Sequence, residues 1–323
     1  MEPTGGGDDR SPMQANATPA GESARGGDKP AERKKRLVKP HRIEGHTRVV
    51  CVFGDPVEHS LSPRMHNAAY RELGLDYVYV AFKPTVRRFS DAVQAIRALG
   101  IVGANVTVPY KQAAVTVCDR VTDTVSVVGA ANTLYFDRGK LVGENTDGLG
   151  FASALGAHGF RIRGKRALVI GAGGAARAVV WALTEYGAAD IVIANRTASK
   201  AKQIAKMFRS HMPGVHHTDL EVLDDFDFLE TRQLVVNATS VGLNGKDFLD
   251  YSVEATPEDC VHFDLVYSEE PTPFLRMAQA LKRPTIDGRH MLVHQGAAAF
   301  KLFTGRRAPV DVMAKAIGIK IRT

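Results

Sequence analysis

Arg166-Ala167-Leu168-Val169-Ile170 runs directly into Gly171-Ala172-Gly173-Gly174-Ala175-Ala176. An apolar strand, a glycine turn and a helix start follow one another without a gap, the order that a dinucleotide-binding fold requires. Gly171 permits the tight turn, Gly173 lets the backbone approach a pyrophosphate, and Ala176 is small enough for helix-on-strand packing. Gly174 and Ala175 open the helix, whose N-terminal amides would receive the diphosphate. A G-x-G-x-x-A pattern also arises by chance in ordinary strand-to-helix connections, so the flanking strand and the helical pattern to Tyr186 carry the reading.

The end of the next strand selects the dinucleotide. An NAD site usually places Asp or Glu there for the ribose 2′-hydroxyl, whereas this chain reads Ile193-Ala194-Asn195-Arg196-Thr197-Ala198-Ser199-Lys200. Arg196 can stack beside adenine and bind a 2′-phosphate, and Lys200, one helical turn on, adds a point charge. The segment therefore predicts NADP, the alternative being that both are ordinary surface cations.

Outward from this motif, β-rich runs alternate with helical patterns, the signature of parallel sheets flanked by helices. Strands are predicted at Val49–Phe53, Tyr77–Phe82, Gly103–Val106, Asn132–Phe136 and Lys140–Glu144, with helices at Pro63–Leu73 and Arg88–Leu99. A second alternation places strands at Arg166–Ile170, Ile191–Ala194, Gln233–Asn237, Val261–Leu265 and Thr285-Ile286. Its helices are predicted at Gly174–Tyr186, Ala198–Phe208 and Pro273–Ala280, followed by Met291–Phe303 and Val310–Ala316. The fold class is α/β with two domains: a mixed, mostly parallel α/β substrate domain and a doubly wound Rossmann-type NADP-binding domain. The boundaries are 1–47 for a disordered N-terminal extension, 48–147 for the substrate-binding catalytic domain and 148–288 for the NADP-binding domain. The helices of 289–323 are expected to pack back on the substrate domain.

Composition narrows the function classes. The 323 residues carry 42 Lys or Arg against 35 Asp or Glu, net +7. Residues 1–48 hold ten of those cations and seven of the anions, leaving 32 against 28 for the remainder, a mild excess that suits anionic small molecules. A nucleic-acid partner would need clustered cations interleaved with aromatics, and residues 1–47 contain no Phe, Tyr or Trp. No apolar run is long enough to span a membrane, and no signal segment is visible. Cys51, Cys118 and Cys260 are odd in number and unpaired in spacing, so they read as reduced thiols in a cytoplasmic chain. No metal-ligand pattern occurs, and the adjacent His216 and His217 should diverge.

Polar residues recur at strand ends and helix starts before Gly148: His59-Ser60-Leu61-Ser62-Pro63, Gly103-Ala104-Asn105-Val106-Thr107-Val108-Pro109-Tyr110-Lys111, Gly129-Ala130-Ala131-Asn132-Thr133 and Asn145-Thr146-Asp147-Gly148. In an α/β sheet such positions converge on one crevice. With the Gly171 turn, Asn195-Arg196-Thr197, Asn237-Ala238-Thr239-Ser240, Asp264-Leu265-Val266-Tyr267 and Met291-Leu292-Val293-His294-Gln295, the ordered set resembles shikimate dehydrogenase from Val49 to the C-terminus.

The resemblance implies reversible, NADPH-dependent reduction of 3-dehydroshikimate to shikimate, a step of aromatic amino-acid biosynthesis. It implies that Ser60, Ser62 and Tyr267 bind the substrate carboxylate and that Thr107, Asn132 and Gln295 hold ring hydroxyls. Lys111 and Asp147 match the catalytic pair. Thr239, Gly288 and Met291 match positions lining the cofactor, beside Gly171–Ala175, Asn195, Arg196, Thr197 and Lys200. The expected partners are the small-molecule substrate and NADP, with no nucleic acid or membrane, in a monomer or homodimer.

The side chains themselves support such chemistry. Hydride delivery to a ketone builds negative charge on oxygen, which a positioned ammonium at Lys111 can stabilise and protonate. Asp147 would orient that ammonium and keep it charged. Other readings are structural: Ser62 and Asp147 as helix N-caps, Lys111 as a surface cation at a helix start where its charge opposes the dipole, and Asn132 as a turn residue. Tyr267 can equally be a core aromatic and Gln295 a surface amide. Two positions depart from the family pattern, Ala131 where Val is common and His290 where Gly is usual. A quinate or dual quinate/shikimate dehydrogenase is the nearest rival, and a non-catalytic NADP-binding regulator is the rival of another class.

Overall fold

In the computed structural model, strand β1 (Arg48–Phe53) shows how the first sheet is covered. Val50 and Val52 join one hydrophobic cluster and Cys51 and Phe53 another, as the two-residue period of a strand demands. Both faces are therefore packed, which is why the strand reads as a nearly continuous apolar run. The structure describes residues 42–242, 251–268 and 270–321. All fall in one compact unit, 39–323. Of the extension expected over 1–47, residues 1–41 lie outside the described residues; 42–47 form a turn in which the Thr47 hydroxyl donates to Asp76 at 2.8 Å.

After β1 come α1 (Ser62–Leu73), β2 (Tyr77–Phe82), α2 (Phe89–Ala98), β3 (Gly103–Val106), α3 (Ala113–Val117), β4 (Arg120–Val121), α4 (Asp123–Val128), β5 (Thr133–Asp137), β6 (Lys140–Glu144) and α5 (Asp147–Ala157). The sheet order is β2-β1-β3-β5-β6-β4, with β5 antiparallel to β3 and β6 and the remaining pairs parallel. Asn105 pairs with Thr133 and Thr133 with Glu144. The C-terminal ends of β3 and β6 thus meet the N-terminal end of β5 on one edge, which brings three chemically loaded loops together.

The second alternation comprises β7 (Arg166–Ile170), α6 (Gly174–Glu185), β8 (Asp190–Ala194), α7 (Ala198–Arg209), β9 (Val215–Thr218), α8 (Phe226–Leu229), β10 (Leu234–Asn237), β11 (Val261–Asp264), α9 (Pro273–Ala280) and β12 (Thr285–Ile286). Its order, β12-β11-β10-β7-β8-β9, is wholly parallel and reverses direction between β7 and β10, the doubly wound arrangement. Ala167 and Val169 pack with α6, while Leu168 and Ile170 pack with α9 on the other face. Helices α10 (Gly288–Thr304) and α11 (Val310–Ala316) return to the first sheet, where Phe300, Phe303 and Met313 join the cluster holding Val50, Met65 and Tyr79.

Two edge strands lie outside the sequence expectation, β4 and β9. β9 reads Val-His-His-Thr, and at an edge it needs no two-sided apolar pattern. His216 there faces Asp190 at 3.7 Å and is exposed, whereas His217 is half-buried, so the neighbouring imidazoles do diverge.

Helix α5 is the spine between the sheets, and its glycines set the spacing. A Cβ on Gly150 would lie 2.6 Å from the Gln295 Cβ, and one on Gly148 would lie 2.4 Å from the Trp181 ring. Only glycine lets α10 and α6 approach α5 this closely.

Two buried imidazoles make stability depend on pH. His66 stacks on Tyr79 at 4.4 Å and burial pushes its pKa down to about 3. Burial likewise pushes His262 down to about 4, with Arg283 adding to the effect and a hydrogen bond with the Cys260 carbonyl opposing it. Both folded values lie below the ordinary 6.5, so the unfolded chain binds more protons in acid. Stability is then fully present above the unfolded value and is lost as pH falls below it, by about 2 kcal/mol per histidine near pH 5. The Tm is expected to fall between neutral pH and about pH 5, and His262→Leu to fall less steeply. An equal slope in that variant would assign the loss to other groups.

Candidate active site

Lys111 leaves β3 through the turn that precedes α3, and its main-chain carbonyl accepts from the Ala131 N–H at 2.8 Å. That contact ties the lysine to the loop before β5. Its Nζ donates to Asp147 Oδ2 at 2.6 Å, with side-chain exposures of 18% and 7%. The lysine is therefore part of an interior ion pair with a face towards solvent, and the surface-cation reading fails.

The capping readings fail as well. Asp147 is the first residue of α5, after Thr146 at the N-cap, and its two oxygens are taken by Lys111 and by Asn132 Nδ2 at 2.8 Å. Ser62 is the first residue of α1, after Leu61 at the N-cap, and no side chain caps that helix. The Ser60 hydroxyl instead accepts from the Ser62 N–H at 3.3 Å, closing a turn that presents both serines together.

Asn132, 2% exposed, is the hub. Its amide donates to Asp147 and to Thr146 Oγ1 at 3.0 Å, and faces Gln295 Oε1 at 3.3 Å. Its Oδ1 accepts from the Thr146 N–H at 2.8 Å and from the Thr133 hydroxyl at 3.0 Å. Gln295 is not a surface amide: α10 inserts it beside α5, and its Nε2 donates to the Leu292 carbonyl at 2.8 Å. Thr107 stands half-buried at the end of β3, its methyl pressed over Gly54. Tyr267 lies just beyond β11 with its hydroxyl at the Leu61 backbone, between the two serines; burial raises its pKa and that hydrogen bond partly offsets the rise.

These residues come together with four that sequence reasoning did not assign, Tyr79, Asn105, Thr133 and Thr146. A polar residue on a buried strand carries no local signal of its partner. Only the strand register supplies it.

The turn after β7 fits a dinucleotide. Gly171 has φ +114, and a Cβ there would meet the Ala238 carbonyl carbon at 2.9 Å and Thr239 Cγ2 at 3.0 Å. Cβ atoms at Gly173 and Gly174 would meet nothing within 4 Å, so open space lies over an α6 N-terminus that no side chain caps. Ala172 and Ala175 are half-buried on the same turn. Thr239 is braced by Asn237, whose Oδ1 accepts from the Thr239 hydroxyl at 2.7 Å. Asn237 in turn donates to Asp264 at 3.0 Å; burial pushes that carboxyl up to about 6, against hydrogen bonds from Thr272, the Val266 N–H and Asn237.

After β8, Asn195 Nδ2 donates to the Thr197 carbonyl at 2.9 Å, closing a turn on which Arg196, Thr197 and Lys200 are exposed. Gly288 lets α10 start against the β11 end, where a Cβ would lie 2.5 Å from the Leu265 carbonyl oxygen. Met291 is 8% exposed and belongs to the core cluster of the second sheet. His290 turns to the end of α5, where its Nδ1 lies 3.2 Å from His158 Nε2. Burial and the neighbouring His158 push its pKa down to about 4.

A Lys–Asp pair on a buried amide hub, beside a sheet whose glycine turn can cradle a diphosphate, is suited to proton transfer coupled to nicotinamide redox chemistry. The comparisons with known proteins agree. Residues 52–134 match the shikimate dehydrogenase substrate binding domain, 154–242 the shikimate/quinate 5-dehydrogenase family and 288–317 the shikimate 5′-dehydrogenase C-terminal domain. A shikimate dehydrogenase (NADP(+)) of Methanopyrus kandleri is 44% identical over 280 residues, covering 85% of this chain and 96% of the relative. A crystal structure of shikimate dehydrogenase in complex with NADP+ superposes with a TM-score of 0.80 at 38% identity, over 85% of this chain and 96% of the other. The Thermus thermophilus enzyme in complex with NADP(H) and shikimate gives 0.75 at 37% identity, over 83% and 98%. This chain belongs to the shikimate dehydrogenase family.

Proposed function

We infer that the protein is a shikimate dehydrogenase, reversibly reducing 3-dehydroshikimate to shikimate with NADPH. The observation that carries this reading is the 2.6 Å contact between Lys111 and Asp147 on the Asn132 hub. Bound NADPH supplies the hydride. Lys111 gives its proton to the carbonyl oxygen as negative charge gathers there, and Asp147 holds the ammonium in place and offsets its charge. In the oxidative direction the neutral amine takes the hydroxyl proton.

Ser60, Ser62 and Tyr267 are positioned to bind a carboxylate, with Thr107, Asn132 and Gln295 for the ring hydroxyls. The Gly171–Ala175 turn receives the diphosphate, and Arg196 with Lys200 the 2′-phosphate. Residues 48–147 then form the substrate domain, completed by 289–323, with 148–288 as the cofactor domain. A cytoplasmic setting agrees with the free thiols of Cys51, Cys118 and Cys260.

Initial rates on shikimate and quinate, each with NADP+ and NAD+, test the assignment. The kcat/KM for shikimate with NADP+ is expected to exceed that for quinate with NAD+ by about 10²-fold. Faster oxidation of quinate with NAD+ would overturn it.

A further inference from the structure

The Asn132 amide can aim its N–H at Asp147 only if something fixes which way the amide is turned, since its two ends are nearly the same shape. The Thr146 N–H, donating to Asn132 Oδ1 at 2.8 Å, does so from the start of α5. A buried chain of hydrogen bonds backs the same end from the sheet, and we propose that Tyr79, Asn105 and Thr133 are positioning residues acting through Asn132 on the Lys111–Asp147 pair. This inference rests on the reading of that pair as the proton-transfer site.

The polarity of the chain follows from a main-chain group that can only accept. The main-chain carbonyl of Asn132 accepts from Asn105 Nδ2 at 3.1 Å and cannot donate. The Asn105 amino group must face it, so Asn105 Oδ1 faces the other way and accepts from the Tyr79 hydroxyl at 2.7 Å. The same amino group donates its second proton to Thr133 Oγ1 at 3.0 Å. A hydroxyl has a single proton, and Thr133, accepting from Asn105 on one lone pair, sends that proton to Asn132 Oδ1 at 3.0 Å, nearer than Thr146 Oγ1 at 3.4 Å. Asn132 Oδ1 is thereby held as the acceptor end by two donors, this hydroxyl and the Thr146 N–H. Its Nδ2 is left to donate to Asp147 Oδ1 at 2.8 Å, opposite the oxygen that holds Lys111.

Nothing along this path is loose. Asn105, Thr133 and Asn132 are 7%, 0% and 2% exposed, and Tyr79 is 1% exposed with its ring stacked on the fully buried His66. In such surroundings a fully satisfied polar chain has one stable orientation, because the reversed one would set two acceptors face to face. The first link, on β2, is 32 to 68 positions from Lys111 and Asp147 along the chain; it acts by supporting the direction of the hub.

Thr133 gives the sharpest test, because valine and serine separate its shape from its hydroxyl. In Thr133→Val the proton to Asn132 Oδ1 is gone, and in Thr133→Ser it is kept. With shikimate and NADP+, kcat of Thr133→Val is expected to fall about tenfold, with the acid limb of its pH profile moved towards neutral and the KM for NADP+ unchanged. Thr133→Ser should retain kcat and pH profile within about twofold of wild type. Tyr79→Phe keeps the ring on His66 and should reproduce the kcat and pH profile of Thr133→Val in weaker form, with a raised KM for shikimate as well, because the hydroxyl also bonds the Ser62 side chain. Wild-type kcat and pH profile in Thr133→Val overturn the proposal, and so do equal losses in the Val and Ser variants. Should Tyr79→Phe fail to fold, the Thr133 pair decides alone. A wild-type protein inactive on shikimate would instead remove the functional reading beneath it.

Discussion

Lys111→Ala is expected to lower kcat for shikimate oxidation by about 10³-fold, the middle of the range for loss of a positioned acid–base group. NADPH should bind within about twofold of wild type, because the lysine sits on the first sheet and the diphosphate turn on the second. The separation matters, since a misfolded variant would lose both. Removing one partner of an interior pair also leaves Asp147 without its ammonium, at a cost in stability. Asp147 keeps its hydrogen bond from Asn132 and Lys111 retains some exposure to water, so that cost should stay well below the several kcal/mol of a sealed ion pair. Asp147→Asn keeps the shape and removes the charge; it should lose turnover to a similar extent. Turnover within about tenfold of wild type in Lys111→Ala would move the proton transfer to another group. Negligible and equal rates in wild type and variant would instead favour a non-catalytic NADP-binding protein.

Much of the fold was legible because its central strands are covered on both faces. Arg166–Ile170 and Gly103–Val106 read as strands at their observed bounds, and so do Tyr77–Phe82 and Thr285–Ile286, which lie at sheet edges but keep aromatic or β-branched residues. Such segments announce themselves as apolar runs closed by glycine or polar turns. Val215–Thr218 and Arg120–Val121 did not, since an edge strand can carry His-His or Arg without burying either. Helix α10 begins at Gly288, before the apolar pattern starts, because its first turn is fixed by Asp287 accepting from the Arg289 N–H at 2.7 Å.

The site was legible in a different way. Nothing in the spacing of Lys111 and Asp147 reveals that they touch; the register of β3, β5 and β6 makes the contact. The resemblance to a family named Lys111, Asp147, Asn132 and Gln295, and the structure places all four together. It did not single out Tyr79, Asn105 or Thr133, whose importance depends on which end of an amide faces which neighbour. His290 stood out as a departure from the family. In the structure it meets His158, 132 positions away at the far end of α5.

Arg196 and Lys200 would deliver charge to the 2′-phosphate in different ways. Both Arg196 and Lys200 are exposed, so a simple Coulomb contribution from either is screened and amounts to about 0.2–1 kcal/mol, a few-fold in affinity. A guanidinium that forms paired hydrogen bonds to a phosphate adds about 1.5–3 kcal/mol, which is roughly ten- to 150-fold. Arg196→Ala is therefore expected to raise the Kd for NADPH by about 10²-fold, and Lys200→Ala by only about threefold. The Kd for NADH should barely move in either variant, since it lacks the 2′-phosphate, and the two dinucleotides should then bind Arg196→Ala with similar affinity. Titration of both dinucleotides into wild type and each variant gives the comparison directly. Equal losses for NADPH and NADH would show Arg196 acting on the adenine face instead, and selectivity would then have to come from the absence of a carboxylate at the end of β8 rather than from the cation that follows it.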